Sequence, residues 1–191
     1  MIVRLYLDSN YHNPMANFIS FVFLGIFCII IQSTFLGYMF SPGLRIELII
    51  IVLTYLALNH SIIQGAFLVA VFGYFYDLNS AAPLGLHSLT FVSCFVILHL
   101  LRNHLLIQGP AFCVSLVAFM VFFHEILLMI FLASRGISSW PGFLTFLLLL
   151  PQSLLTGIFW PLLSPLMGWI DEIFPLAYFT RSRSGKLEFK F

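Results

Sequence analysis

Long apolar runs separated by short polar breaks make up most of this chain. An α-helix needs about 20 predominantly apolar residues to cross a bilayer, and several of the runs approach or exceed that length. The breaks contain Pro, Gly, Asn, His or charged residues, which end helices or lie at membrane surfaces. The pattern predicts six helices, at residues 18–40, 44–58, 62–77, 84–101, 111–133 and 143–170.

The region 44–77 admits two interpretations, because its apolar sequence is interrupted only by the Asn-His-Ser break at residues 59–61. As a single helix it would be about 51 Å long at about 1.5 Å per residue, whereas the hydrocarbon core is about 30 Å thick. We therefore expect two short spans with a tight connection. The alternative is a re-entrant hairpin, which is tolerable only where protein covers its backbone. Arg45 and Glu47 open the first of these spans and are expected at the interface.

The sixth predicted span contains three prolines, Pro151, Pro161 and Pro165. A proline inside a helix removes one backbone hydrogen bond, and it bends or breaks the helix at that point. This span is therefore expected to be bent rather than straight.

Composition places the chain among membrane proteins. Of its 191 residues, 61% are hydrophobic and only 8% are charged, whereas soluble domains carry about 25% charged residues. We predict an all-α polytopic membrane protein, with about six transmembrane helices in a compact bundle over residues 1–179 and a basic tail over 180–191. The net charge of +1 says nothing about nucleic acid. Because no basic face exists to neutralise phosphates, we predict no nucleic-acid partner. Cys28, Cys94 and Cys113 lie in apolar runs and are interpreted as small buried hydrophobes.

The distribution of basic residues predicts the orientation of the chain. Six spans place both termini on one side, and basic residues concentrate on the cytoplasmic side of membrane proteins. Cytoplasmic termini would put six basic residues inside (Arg4, Arg102, Arg181, Arg183, Lys186 and Lys190) and two outside (Arg45 and Arg135). We therefore expect cytoplasmic termini and an outward-facing turn between the third and fourth spans.

The third span combines small residues with an acid at its end. Ala66 and Ala70 are four residues apart, as are Gly73 and Asp77, so they share roughly one side of a helix. Small residues allow a neighbouring helix to approach closely. The Asp77 carboxylate can accept hydrogen bonds from the N–H groups that begin the fourth span. Either this acid only fixes a tight hairpin, or it also belongs to a surface that faces a partner or ligand.

Glu125, next to His124, is a second acid within a predicted span. An ionisable residue inside a membrane indicates function by default. Three roles stay open for it: a polar contact with another helix, partner binding, and proton or ion translocation. The chain contains no HExxH, P-loop or G-x-S-x-G motif, so we predict no enzymatic activity, no cofactor and no metal site. The other histidines are interpreted as polar helix ends.

Two motifs carry a resemblance to a known family. The stretch Gly73-Tyr-Phe-Tyr-Asp77-Leu-Asn-Ser-Ala-Ala-Pro-Leu-Gly85 resembles the G-x-x-x-D-L-x-x-x-x-x-L-G signature of the bacterial rod shape-determining protein MreD family. In the sixth span, Gly157-Ile-Phe-Trp160-Pro161 resembles the closing G-x-x-W-P segment of that family. Val69 is a departure, because the family often has glycine there.

The resemblance extends to the basic end of the fourth helix, at Arg102, and to the six-span plan. The candidate partner-binding or structural residues are Gly73, Asp77, Pro83, Gly85, Arg102, Glu125, Gly157, Trp160 and Pro161.

The MreD resemblance implies a non-enzymatic scaffold in the bacterial inner membrane. Such a scaffold binds the bitopic protein MreC and helps couple MreB filaments to lateral peptidoglycan synthesis by a RodA-type transglycosylase and a class B penicillin-binding protein. The family is also similar in fold to the substrate-binding S-components of energy-coupling-factor transporters. The alternative function is therefore an S-component-like subunit that binds a small molecule such as a vitamin, since fold alone does not settle function.

Overall fold

The computed structural model describes residues 14–36, 46–80, 83–102, 109–134, 136, 143–173, 180–181 and 187–188. The helices in these ranges are α1 (Pro14–Ile31), α2 (Leu48–Asn59), α3 (Ile62–Asn79), α4 (Leu86–Leu101), α5 (Gly109–Ser134), α6 (Phe143–Ile158) and α7 (Trp160–Ile173). A π-helical turn, Gln32–Leu36, continues α1. In the tail, β1 (Thr180–Arg181) pairs antiparallel with β2 (Leu187–Glu188). The protein is thus built from α-helices, as predicted.

Each of the six predicted segments contains a helix, and the sixth contains two. Three helices in the described ranges are long and apolar enough to cross a membrane, or four if the bent pair α6 and α7 counts as one span. Helices α2 and α4 are apolar but shorter. The count of six spans and the cytoplasmic termini stay predictions. The predicted span ends at 37–40 and 44–45 and most of the basic tail lie outside the described residues.

Helix α2 occupies the centre of the bundle and contacts all six other helices. Its sequence, LIIIVLTYLALN, is apolar on every side, and its residues from Ile49 to Leu53 are almost completely buried. A helix that is hydrophobic all round belongs in the interior of a protein. Its 12 residues rise only about 18 Å. The predicted division of this region is confirmed, because α2 ends at Asn59 and α3 begins at Ile62.

The outward faces of the bundle carry large apolar side chains. Exposed examples are Phe23 and Phe27 on α1, Ile63 and Phe67 on α3, and Phe119 on α5. Monomeric soluble proteins rarely expose apolar patches of this kind beyond a few hundred Å². The exterior is therefore compatible with a membrane protein.

The predicted bend in the last apolar segment is confirmed. Helices α6 and α7 meet at an angle of 45° across a break at Phe159. Pro161 has no N–H to donate to the carbonyl of Gly157, so the helical ladder cannot continue through this point. The chain restarts as α7 with the N–H groups of Leu162 and Leu163 both donating to the carbonyl of Phe159.

Candidate functional site

Asp77 caps the beginning of α4 from the end of α3. Its Oδ2 accepts the backbone N–H of Gly85 at 2.8 Å and that of Ser88 at 3.4 Å, and its Oδ1 accepts the N–H of His87 at 3.0 Å. The first N–H groups of a helix have no intrahelical partner, and they favour a carboxylate. The side chain is only 2% exposed. The hydrogen bonds predicted for Asp77 are thus confirmed.

The same carboxylate also holds a histidine side chain. Nδ1 of His87 lies 2.8 Å from Oδ1 of Asp77, and both side chains are buried. The imidazole packs between Tyr76, whose ring centroid is 4.6 Å away, and Phe91, at 6.2 Å.

Gly73 packs directly against the backbone of α4. A Cβ at this position would overlap the Cα and N of Ser88, and the hydroxyl of Ser88 donates to the carbonyl of Ala70 at 3.1 Å. The predicted close approach of a neighbouring helix at the small residues is therefore confirmed at Gly73. In the turn, the carbonyl of Pro83 accepts the N–H of Leu86 at 3.2 Å.

A second group of ionisable side chains surrounds Glu125. His124 precedes it on α5, and Glu47 faces both residues from the start of α2. Nδ1 of His124 lies 3.3 Å from Oε2 of Glu47. One ligand atom from each of the three side chains lies within 4.8 Å of the other two, a spacing that could hold a metal ion. Nε2 of Gln152, on α6, donates to Oε1 of Glu125 at 3.3 Å.

The two groups adjoin each other inside the bundle. The ring centroids of His87 and His124 are 6.3 Å apart, and that of Phe91 is 5.0 Å from that of His124. We call the combined set, Glu47, Asp77, His87, His124 and Glu125, the carboxylate–histidine cluster. The structure thus brings Asp77 and Glu125, predicted separately, into one polar region between α2, α3, α4 and α5.

Polar side chains hold the start of α2, and with it Glu47, in place. The backbone N–H of Glu47 donates to Oγ1 of Thr156 at 3.3 Å, and that hydroxyl donates to the carbonyl of Gln152 at 3.0 Å. Oε1 of Gln32, in the π-helical turn, accepts the N–H of Ile49 at 3.4 Å. Glu47 is only 4% exposed. It faces neighbouring helices, because α2 is enclosed by them. Its expected position at the membrane interface stays a prediction.

Gly157 and Trp160 pack against neighbouring helices, whereas Pro161 marks the start of α7. A Cβ on Gly157 would lie 2.7 Å from the carbonyl oxygen of Val114, so the glycine allows α6 to lie against α5. Trp160 is buried, with its ring centroid 6.5 Å from that of Tyr55 on α2. Pro161 is exposed in the first turn of α7, where a missing N–H costs no intrahelical bond.

A separate polar group lies at the opposite end of α2. Asp171 on α7 accepts hydrogen bonds from Nδ2 of Asn17 at 2.9 Å and from the hydroxyl of Tyr55 at 2.7 Å. Nε2 of His60 lies 3.4 Å from its Oδ1. Arg102, at the end of α4, donates from Nη1 to the carbonyl of His60 at 3.0 Å. We call Asn17, Tyr55, His60 and Asp171 the Asp171 cluster.

Sequence reasoning missed that most buried histidines pair with acids. His60, His87 and His124 each lie within 3.4 Å of a carboxylate oxygen. The sequence predicted polar helix ends for His60 and His87, and it placed His124 only next to Glu125. The available signal was the combination of few charged residues and several histidines in apolar segments. Removing a polar group from water is costly unless another polar group meets it, so such residues are expected in pairs.

Comparison with known proteins finds no matching family model, no matching curated protein and no matching solved structure.

Proposed function

We propose that this chain is a multi-pass scaffold of the bacterial inner membrane that binds an MreC-like bitopic protein. One observation carries this proposal. The residues that make up the MreD-like signature depend on one another in space, since Asp77 accepts the N–H of Gly85 and Gly73 lets α4 pack beside α3. If the match to the sequence motif were accidental, there would be no reason for these three residues to form one hairpin together.

The α3–α4 hairpin also presents an apolar outer face on which a partner helix can pack. Tyr74 and Leu78 are exposed and lie four residues apart on α3. Leu84 in the turn and Leu89 on α4 are also exposed. Membrane helices associate through close packing rather than through a hydrophobic driving force, so a rigid face is favourable for binding. The hydrogen bonds of Asp77 supply that rigidity. The proposed occupant is the transmembrane helix of the MreC-like protein.

Within the elongation machinery, the scaffold would help connect MreB filaments to lateral peptidoglycan synthesis. The enzymes in that complex are a RodA-type transglycosylase and a class B penicillin-binding protein. The chain itself acts without catalysis in this proposal, and its loss is expected to convert rod-shaped cells into round ones.

Affinity purification of the chain from membranes, with the MreC-like protein as the measured partner, tests the proposal. The double variant Tyr74→Ala/Leu78→Ala is expected to recover at least tenfold less partner. The matched control, Phe23→Ala/Phe27→Ala, removes exposed aromatic rings from α1 and should leave recovery unchanged. Gly73→Leu and Asp77→Ala are also expected to break the complex. Full recovery with all hairpin variants would show that the hairpin is not the binding surface.

The alternative, binding of a vitamin-like small molecule, has one observation in its favour. A cleft of about 230 Å³ lies beside the Asp171 cluster and includes the polar side chains of Asn17, His60 and Gln64. Ligand sites usually combine an apolar pocket with a few polar groups. Native mass spectrometry that finds a stoichiometric bound vitamin would overturn the scaffold proposal.

A further inference from the structure

Three side chains of the carboxylate–histidine cluster are spaced like the ligands of one metal ion. Two ligand atoms at about 2.0–2.1 Å from a tetrahedral zinc ion lie roughly 3.4 Å from each other. The distance between Nδ1 of His124 and Oε2 of Glu47 is 3.3 Å. The ligand atom of Glu125 lies within 4.8 Å of both, which is within reach of a common ion after a small rotation of the carboxylate.

His124 supplies an independent observation. The side chain is 2% exposed, and neither ring nitrogen makes a hydrogen bond to the described part of the protein. Buried polar atoms are almost always hydrogen-bonded, because an unmatched one loses its hydration without compensation. A buried imidazole that makes no hydrogen bond to the described residues and has two carboxylates within 4.8 Å is suited to coordinating a cation.

Charge gives a second reason for a cation. Two carboxylates within 4.8 Å of each other repel strongly if both are ionised in an apolar environment. A divalent ion bound to two carboxylates and one neutral imidazole produces a site with no net charge. The donor set of one nitrogen and two oxygens suits zinc, manganese or iron(II) better than magnesium or calcium, which prefer oxygen alone.

The surrounding residues position the ligands as metal sites require. Gln152 donates to Oε1 of Glu125, and Thr156 accepts the N–H of Glu47. The ring of Phe91 packs against His124. Such outer contacts orient ligating side chains and commonly contribute 10–100-fold to metal affinity.

From these observations we infer that Glu47, His124 and Glu125 bind one divalent transition-metal ion, with zinc as the best-fitting metal. The ion would join the start of α2 to the middle of α5 inside the bundle. Three protein ligands leave a fourth position for water or another group. None of the three ligands belongs to the exposed face of the hairpin on which the partner helix is proposed to pack.

The test uses the full chain, with any affinity tag removed, purified in detergent without chelator. Elemental analysis by mass spectrometry is expected to find about one zinc, manganese or iron ion per chain. After chelator treatment, isothermal titration with zinc chloride measures the affinity. Glu125→Gln and His124→Gln should each weaken zinc binding by more than about 100-fold, whereas Gln152→Ala should weaken it by about 10–100-fold.

Matched controls distinguish this site from other acids and histidines. Glu172→Gln changes an exposed acid on α7, and His99→Gln changes a histidine that contacts the carbonyl of Ala57. Arg45→Gln removes the charge nearest to Glu47 in sequence. All three variants are expected to bind zinc like the unchanged protein.

X-ray absorption of the zinc-loaded, unchanged protein needs no variant. Its result therefore does not depend on whether the variants fold. The expected spectrum shows nitrogen and oxygen ligands with one imidazole, whereas sulfur ligands would overturn the site. Zinc binding unaffected by Glu125→Gln and His124→Gln would also overturn it. So would an unchanged protein that binds none of the three metals. In that case a carboxyl C=O infrared band that disappears in Glu125→Gln would assign a shared proton to the two acids.

Discussion

Nδ1 of His87 lies 2.8 Å from Oδ1 of Asp77, and the same carboxylate accepts the N–H groups of Gly85 and His87. One side chain at the end of α3 thereby orders both the backbone of the next helix and a buried imidazole. That imidazole faces His124 across 6.3 Å. The hairpin cap and the buried acids on α2 and α5 are consequently parts of a single polar region.

Asp77→Asn is expected to destabilise the protein. The side-chain NH2 group of asparagine would face backbone N–H groups of α4, and two donors cannot form a hydrogen bond with each other. Loss of hydrogen bonds to a charged group costs about 1.5–3 kcal/mol. Denaturant unfolding in detergent, followed by circular dichroism, measures the change in the free energy of unfolding. Asn79→Ala is the control, since its exposed side chain donates to the carbonyl of Phe75 at the surface. Equal stability of the two variants would contradict the capping role.

Gly73→Ala should destabilise the protein by about 1–3 kcal/mol, which is typical of overpacking. The new methyl group would overlap the backbone of Ser88, and backbone cannot move aside as a flexible side chain can. Gly168→Ala is the matched change, because in the part of the chain that the structure describes a Cβ there meets nothing within 4 Å. It should instead stabilise α7 by about 0.5–1 kcal/mol. Thermal unfolding of the two variants, measured side by side, tests whether their changes in stability have opposite signs.

Gly85→Ala is expected to cost about 1–2 kcal/mol through backbone strain alone. The φ angle of Gly85 is +90°, a region that L-residues rarely adopt, while a Cβ there would meet no atom of the described residues within 4 Å. Gly85→Asn should be less harmful, because asparagine tolerates this region better. Measured free energies of unfolding of both variants test whether the alanine variant is the less stable one. An alanine variant as stable as the unchanged protein would exclude strain at this turn.

Tyr55→Phe is expected to weaken the Asp171 cluster by about 1.5–3 kcal/mol, because it removes a 2.7 Å hydrogen bond to a carboxylate. Tyr74→Phe, on the exposed face of α3, is the control and should have little effect. A double-mutant cycle with Asp171→Asn isolates the pairwise energy. Additive effects of the two changes would show that the hydroxyl and the carboxylate are not coupled.

The local features of the α3–α4 hairpin follow from the sequence. Gly73 and Asp77 share one side of α3 because a helix places every fourth residue on the same face. The acid therefore had to lie near the N–H groups of α4 once a short turn joined the two helices. For the same local reason, Pro161 predicts the bend between α6 and α7.

Only the tertiary structure decided which side chains of distant helices contact one another. Asn17 reaches Asp171 across 154 positions, and Glu47 is held by Thr156 across 109. Such contacts depend on the order of the helices in space and on the rotation of each about its axis. In a chain whose helices are apolar on nearly all sides, the sequence pattern does not specify that rotation, because no polar stripe marks an outer face. The sequence by itself thus determined the helices, the bend and the Asp77 cap, whereas packing decided that α2 is central and that Glu47 meets His124 and Glu125.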